Sequence, residues 1–236
     1  MAISEIPCGD GTMTVVVGNP ATAHDGRPAL VVSFGLTNTG IGGPQAKVLS
    51  EFAERMAMLT GMEVYAFSPH GVGESGGELS YDGLVADVRL AVDSVPSATC
   101  ILVGFGAVFA GMVAAAVASS RVVGLVGIDL NELIDSELLR THLEEFGTRL
   151  EAGETLGRFG IEGQRQLPNC PALLVERAET PQAVYREFSS ALQAEVHRVV
   201  AMSERMQYDP RTYAILLGWL ERTTWPAASG PGQANP

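Results

Sequence analysis

Short apolar runs alternate along the chain with stretches whose apolar positions recur every three to four residues. The apolar runs are rich in valine, leucine and isoleucine, and they read TMTVVVGN, ALVVSFG, MEVYAFS, CILVGFG, VVGLVGID, ALLVER and EVHRVVAM. Runs of this length and composition, bounded by glycine, proline and polar residues, predict β-strands. The pattern therefore predicts a series of strands between Thr12 and Met202.

The segments between these runs carry helical periodicity. Two apolar stripes at helical spacing are clear: one is Val48, Phe52, Met56 and Leu59, and the other is Leu84, Val88, Val92 and Val95. Strands that are apolar on both faces and separated by helices predict an α/β fold, with a mostly parallel sheet flanked by helices and joined by right-handed crossovers. In such a sheet a ligand binds beyond the carboxyl ends of the strands.

The alternation lapses between residues 131 and 170, where charged residues and helical periodicity predict a short helical lid insertion. Its apolar residues fall along roughly one face: Leu133, Leu138, Leu139, Leu143, Phe146 and Leu150. Residues 1–130 and 171–225 then form one α/β core domain. Residues 226–236 read PAASGPGQANP, which is too poor in apolar residues to pack and predicts a flexible tail.

Composition narrows the classes of partner. The 236 residues are 46% hydrophobic and 18% charged, as in a folded globular protein. The formal net charge of −12 repels phosphate backbones and no basic run offsets it, so we expect no nucleic acid partner. The chain shows no signal peptide and no apolar stretch of about 18 residues, which predicts a cytoplasmic protein with no membrane partner. The three cysteines lack metal-binding spacing, and we expect neither a metal nor a cofactor.

Three glycine-rich turns follow predicted strands. They read VVSFGLTNTG, YAFSPHGVGESGG and ILVGFGAVFAG, and the last places Gly106 between a strand and a helix of small residues. Taken in order and at this spacing, the three segments resemble the α/β-hydrolase superfamily, over a stretch from about Val15 to Arg222. The resemblance implies that fold, with an oxyanion-binding turn in the first segment and a nucleophile elbow in the third.

The resemblance breaks at the residues that carry hydrolysis. The superfamily's elbow has the form GxSxG, and here Gly106 stands where the serine nucleophile is implied. Thr180 stands where the superfamily has its acid, and Glu179 comes one place before it. The resemblance implies that the base follows the last predicted strand, but the sequence has no histidine after His197. The Ser-His-Asp mechanism needs a nucleophile, an imidazole and an orienting carboxylate. The sequence therefore predicts a member of the superfamily that lacks the triad.

Four residues are candidates for chemistry at the carboxyl edge of the sheet. The first and third glycine turns would aim the backbone N–H groups of Leu36 and Ala107 at one point, and such donors stabilise an oxygen that gains negative charge. His70 is a candidate proton carrier, and a structural histidine is the alternative that we favour. Asp129 is either a displaced acid or a cap for the helix that follows, and the cap is favoured.

Further positions are candidates for ligand binding because they lie beside the glycine turns, in the insertion, or after the last strands. They are Phe34, Gly35, Thr37, Phe105, Gly106, Phe146, Phe159, Arg177, Glu179 and Arg205. Insertions of this superfamily frame the substrate pocket, and the alternative is a lid packed on its own core. The charged residues after the last two predicted strands also favour a structural Arg–Glu salt bridge where an acid–base dyad would stand.

These observations leave hypotheses of different classes. The first is a non-hydrolytic protein that acts on an apolar or polycyclic small molecule, such as a lyase, cyclase or carbon–carbon bond-forming enzyme of bacterial specialised metabolism; the resemblance implies that this fold supports such chemistry. The second is a pseudoenzyme that binds a ligand or another protein. The third is a hydrolase with a non-standard triad. Insertions join subunits in some members, which leaves a homodimer open.

Overall fold

The strands form a single sheet. The computed structural model describes residues 2–8, 11–20, 26–35, 45–73, 75–130, 136–145, 148–160, 166–180, 186, 189–200, 206 and 209–225. Within these residues the strands are β1 (Ala2–Cys8), β2 (Gly11–Gly18), β3 (Ala29–Ser33), β4 (Val64–Ser68), β5 (Cys100–Phe105), β6 (Val122–Ile128), β7 (Ala172–Arg177) and β8 (Glu195–Val199). Their order across the sheet is β1-β2-β4-β3-β5-β6-β7-β8.

The direction of the strands determines at which edge of the sheet a site can form. β2 pairs antiparallel with both β1 and β4, whereas β3 to β8 run parallel to one another. The carboxyl ends of the parallel strands therefore line one edge of the sheet. Every residue of β3, β4, β5 and β6 is buried, which explains why these strands are continuous apolar runs rather than alternating ones.

Helices cover both faces of the sheet. The helices described are α1 (Gln45–Thr60), α2 (Tyr81–Ser94), α3 (Val108–Ala118), α4 (Ser136–Glu145) and α5 (Pro210–Arg222). α2 and α3 share one apolar core with the sheet, and α1 and α5 share the other. The side chain of Ser80 caps α2 by accepting the Gly83 N–H, and that of Asp209 caps α5 by accepting the Arg211 N–H. Such caps satisfy backbone donors that a helix leaves without partners at its first turn.

The predicted α/β fold is confirmed. Each predicted strand corresponds to one of β2 to β8. The two predicted apolar stripes lie on α1 and α2, except that Leu59 is 52% exposed and Val95 is the C-cap that follows α2. β1 and α5 were not predicted. No helix within the described ranges is both long enough and apolar enough to cross a lipid bilayer.

The described part of the insertion packs against the body of the protein. Leu139 and Leu143 of α4 are buried in the core that α2 and α3 share. A single 3-10 turn follows at Leu156–Phe159. In this turn Arg158 forms an ion pair with Asp82 in the first turn of α2, with Nη2 and Oδ1 2.6 Å apart. These contacts join the insertion to α2, and its role as a lid stays a prediction.

Candidate functional site

The carboxyl ends of five neighbouring parallel strands bring several predicted site residues into one row. In sheet order these strands are β4, β3, β5, β6 and β7. The residues at or just beyond their ends are His70, Gly35, Gly106, Asp129 and Arg177, in the same order. Neighbouring strands lie about 4.8 Å apart, so the row spans roughly 19 Å.

Gly106 forms the turn between β5 and α3. Its φ of 60° lies in the left-handed region, which glycine adopts freely and which costs other residues about 1–2 kcal/mol. The Gly106 N–H donates to the Ile128 carbonyl at 2.9 Å, and the Gly106 carbonyl accepts the Phe109 N–H at 3.2 Å. Ala107 follows as the N-cap of α3 with a helical φ of −67°. The turn therefore leads directly from strand to helix, with a residue that has no side chain at its apex.

Gly35 lies at the end of β3, beside this turn. Its φ is 108°, and a Cβ atom at this position would lie 3.0 Å from the carbonyl oxygen of Phe105. Glycine therefore lets the end of β3 approach the end of β5 closely. The predicted donor Leu36 and the predicted ligand neighbour Thr37 come next in the chain and lie outside the described residues.

The aromatic candidates next to the glycine turns pack into the core beneath α1. The rings of Phe34 and Phe105 meet edge to face with centroids 5.2 Å apart, and Phe34 meets Phe52 of α1 at 4.7 Å. Phe34 and Phe105 are each 4% exposed. Edge-to-face pairs of this kind contribute about 0.5–1.5 kcal/mol beyond the burial of their area. The two residues therefore stabilise the carboxyl edge of the sheet by packing in the core between the sheet and α1.

Asp129 and Arg177 form an ion pair at the ends of β6 and β7. Arg177 Nε donates to both carboxylate oxygens of Asp129 at 3.0 Å, and Nη2 donates to Oδ2 at 2.8 Å. The two side chains are 22% and 17% exposed. Asp129 has a left-handed φ of 56°. The Arg–Glu salt bridge predicted between the ends of the last two strands stays a prediction, because Arg205 lies outside the described residues. The pair of Arg177 with Asp129 joins β7 to its neighbour on the other side, β6.

We expect Asp129→Asn to lower the free energy of unfolding by about 1.5–3 kcal/mol, the range for hydrogen bonds to charged groups. Asparagine tolerates the left-handed conformation as aspartate does, so the loss reports the ion pair rather than backbone strain. Urea denaturation measures the change. The control variant Glu221→Gln, at an exposed position on α5, should stay within about 0.5 kcal/mol of wild type. Equal stability of Asp129→Asn and wild type would mean that the pair contributes nothing.

His70 forms a buried pair with Asp87 of α2. The Nδ1 atom of His70 lies 2.6 Å from Oδ1 of Asp87, and the His70 backbone N–H donates to Oδ2 at 2.8 Å. His70 is 7% exposed and Asp87 is fully buried. Asp87 was not predicted as a site residue from the sequence. The sequence did carry a signal for it, because an aspartate stands next to Val88 among the apolar positions of α2 that are buried.

The loop that carries His70 is held by the segment that follows α4. The Arg149 N–H donates to the Gly71 carbonyl at 3.0 Å, and the Leu79 N–H donates to the Arg149 carbonyl at 2.6 Å. The Arg149 guanidinium donates to the carbonyl oxygens of Gly77 and Ser75. Backbone and side-chain hydrogen bonds thus connect two segments that are distant in the sequence.

The remaining predicted ligand neighbours do not form one cluster in the described structure. Phe159 is fully buried, and its ring meets that of Tyr81 edge to face at 5.5 Å. Glu179 is exposed in the turn after β7. Phe146 and Arg205 lie outside the described residues. The contacts observed for Phe159 are core contacts, and its role beside a ligand stays a prediction.

Two cysteine thiols have raised pKa values. Burial raises the pKa of the Cys100 thiol to about 12 and that of the Cys170 thiol to about 11. The thiolate is the nucleophilic form of cysteine. Both thiols are therefore protonated near neutral pH, and neither is activated for nucleophilic attack.

The strand order, the left-handed turn after β5 and similarity to solved structures show that the chain has the α/β-hydrolase fold. Proline iminopeptidase of Mycobacterium smegmatis matches with a TM-score of 0.68 and 13% identity, over 93% of this chain and 98% of that one. A serine hydrolase without a lid from Xanthomonas campestris matches with 0.62 and 21%, over 93% and 91%. Est1E of Butyrivibrio proteoclasticus, whose structure holds ferulic acid, matches with 0.63 and 15%, over 92% and 96%. No protein-family model matches the chain, and no curated protein is similar to it in sequence.

Proposed function

We propose that this chain is a non-hydrolytic protein of the α/β-hydrolase fold that acts on an apolar or polycyclic small molecule at the carboxyl edge of the sheet. The observation that carries the proposal is Gly106, in the left-handed turn between β5 and α3. Nucleophilic hydrolysis uses a side-chain hydroxyl, thiol or carboxylate, which this fold places on that turn, and glycine supplies none of them. The hydrolase names of the similar structures describe those proteins, because a shared fold does not fix an activity.

The other reactive groups described at this edge support the proposal. The carboxylate of Asp129 binds the guanidinium of Arg177, and the carboxylate of Asp87 binds His70. In the Ser-His-Asp arrangement the imidazole that the carboxylate orients also hydrogen-bonds a nucleophile, and Gly106 has no side chain to serve as one. His197 lies on the outer strand β8, where its Nε2 atom is 2.6 Å from Glu195 Oε1. Among the described residues, these pairings favour an electrophile-binding turn at Gly106 over a nucleophilic one.

The proposed chemistry is the polarisation of a carbonyl or enone by the backbone donors of Leu36 and Ala107. Ala107 lies at the amino end of α3, where the aligned peptide dipoles of a helix place partial positive charge. Donors fixed toward a developing oxyanion typically lower a barrier by about 3 kcal/mol each. A lyase, cyclase or carbon–carbon bond-forming reaction can use such donors without an enzyme nucleophile.

A pseudoenzyme that binds a ligand or another protein is the second proposal. It is favoured by the bidentate pairing of Asp129 with Arg177, which has the geometry of a structural salt bridge. Native mass spectrometry of the purified protein separates the two proposals. A retained small molecule that the protein converts on incubation supports the enzyme, and a molecule released unchanged supports the pseudoenzyme.

A substitution that restores a hydroxyl tests the main proposal. We expect Gly106→Ser to hydrolyse p-nitrophenyl acetate no faster than wild type, because the two histidines whose side chains the structure describes, His70 and His197, bind Asp87 and Glu195. Gly106→Ala is the matched control, since it adds the same Cβ atom without the hydroxyl. Both variants should lose about 1–2 kcal/mol of unfolding free energy in urea through left-handed strain.

The same assay identifies the outcomes that contradict the proposal. Ester turnover by wild type well above background, or covalent labelling by a serine-directed fluorophosphonate, would return the protein to the hydrolases with a non-standard triad. A gain of esterase activity in Gly106→Ser but not in Gly106→Ala would show that a base lies within reach of the turn.

A further inference from the structure

The strand β8 forms one edge of the sheet. It is the last strand in the sheet order, and no described strand pairs with its outer side. The Val199 carbonyl accepts the Ala178 N–H at 2.8 Å, so the backbone groups of Val199 face β7. Successive residues of an extended strand present these groups to opposite sides. The N–H and C=O groups of Val196 and Arg198 therefore face outward, and an edge of this kind is a template for pairing with another strand.

The two edges of the sheet differ in how well they suit an added strand. The opposite edge is β1, which contains Pro7, and proline cannot donate to a ladder of hydrogen bonds. β8 contains no proline. Val196 is 40% exposed, and Val200, just beyond the strand, is 67% exposed. The edge at β8 therefore keeps its backbone donors and also presents apolar side chains that a second strand would cover.

We propose that β8 pairs antiparallel with β8 of a second copy of this chain, around a two-fold axis at Val196. The two Val196 residues then lie directly opposite each other and exchange two N–H···O=C hydrogen bonds. Their exposed side chains are neighbours on the same face of the joined sheet. A two-fold axis of this kind is the commonest symmetry of homo-oligomers. The inference does not depend on the proposed function.

The side chains of β8 complement one another in this register. Glu195 of each copy lies opposite His197 of the other. Within one chain His197 Nε2 and Glu195 Oε1 are 2.6 Å apart, and the hydrogen bond to His197 lowers the pKa of the Glu195 carboxyl. An ionised carboxylate has about four acceptor sites, so Glu195 can bind a second imidazole as well. An axis at Arg198 would instead place two arginines directly opposite each other, which is destabilising.

The local charge at this edge offsets the charge of the whole chain. The formal net charge of −12 opposes self-association. Around β8, however, the cations are close to the acid: Arg222 Nη2 lies 2.7 Å from Glu195 Oε1, and Arg198 belongs to the strand itself. Exposed charges more than about 10 Å apart are largely screened at 0.1 M salt. The mixed charges of the edge therefore decide the contact, and they favour a second copy over a strand of uniform charge.

A proline at the two-fold axis tests the contact. We expect wild type to have the mass of two chains by light scattering after size-exclusion chromatography at micromolar concentration. Val196→Pro removes an N–H that faces outward and breaks no bond to β7, and proline is tolerated at such positions of edge strands. Its mass should fall to that of one chain, with an unchanged circular dichroism spectrum. Val196→Thr keeps the N–H and the branched side chain, so this matched control should remain a dimer.

A pair of single-cysteine substitutions tests the register. Residues 195 and 197 of the two copies form a non-hydrogen-bonded pair with Cα atoms about 4.5 Å apart, within the range that a disulfide spans. Glu195→Cys and His197→Cys, mixed and mildly oxidised, should give a covalent dimer that dithiothreitol reverses. Either variant alone should give no more covalent dimer than wild type, whose three cysteines set the background. A monomeric wild type, a folded Val196→Pro that stays dimeric, or equal crosslinking of the mixture and the single variants overturns the inference.

Discussion

Gly71→Ala is expected to lower the free energy of unfolding by about 2–5 kcal/mol, from left-handed strain and overpacking together. Gly71 has a φ of 72°, and a Cβ atom there would lie 2.5 Å from the Arg149 carbonyl oxygen and 2.4 Å from the Leu79 backbone nitrogen. Both neighbours are backbone atoms that hydrogen-bond each other. The methyl group would therefore force the loop after β4 away from the segment after α4. Urea denaturation followed by circular dichroism measures the loss.

Gly153→Ala is the matched control for this prediction. Gly153 also has a left-handed φ, of 87°, but a Cβ atom there meets nothing within 4 Å. Its cost should be the strain alone, about 1–2 kcal/mol. If the two variants lose the same free energy, the close approach of Gly71 to Arg149 has no energetic consequence and the prediction is wrong.

Asp87→Ala should lower the free energy of unfolding by about 3–5 kcal/mol, the cost of removing one partner from a buried polar pair. Asp87 is fully buried and accepts hydrogen bonds from both the backbone and the ring of His70. Without the carboxylate both groups lose this partner, and each buried group left without one costs about 1–3 kcal/mol. Thermal and urea unfolding both report the loss.

Asp82→Ala provides a control on the same helix. Asp82 also forms an ion pair, at 2.6 Å with Arg158, but its side chain is 79% exposed. The Arg158 hydrogen bond lowers the pKa of the Asp82 carboxyl, yet exposed pairs contribute about 0–1 kcal/mol to stability because water screens them. A loss at Asp87 no larger than the loss at Asp82 would contradict the assignment of a structural role to the buried carboxylate.

The sheet could be predicted from sequence because its buried strands are unbroken apolar runs with turn residues at both ends. β1 lacks that signal. Its sequence AISEIPC does not alternate regularly and contains Pro7, which is tolerated because β1 lies at the edge of the sheet. The start of α5 could have been predicted from the sequence, since Asp209 followed by Pro210 is a strong start signal for a helix.

The candidate site was only partly predictable. The sequence placed Gly106, Asp129 and Arg177 at the correct edge, because each follows or ends a recognisable strand. It did not identify the partner of Arg177, which depends on the order of the strands across the sheet. Asp87 had a local signal, a charge on an apolar helical stripe, but its partner His70 depends on how α2 packs against the loop after β4.

The hydrogen bonds between the loop after β4 and the segment after α4 make the two segments a single cooperative unit. Leu79 pairs with Leu150 in an isolated bridge, and Arg149 binds backbone carbonyls on the other side of the same loop. Neither segment can open without breaking bonds of the other, so their amide protons should exchange with solvent together. The conformation of the loop that carries His70 thus depends on the insertion, and replacing the insertion by one of another sequence would remove the hydrogen bonds that hold this loop.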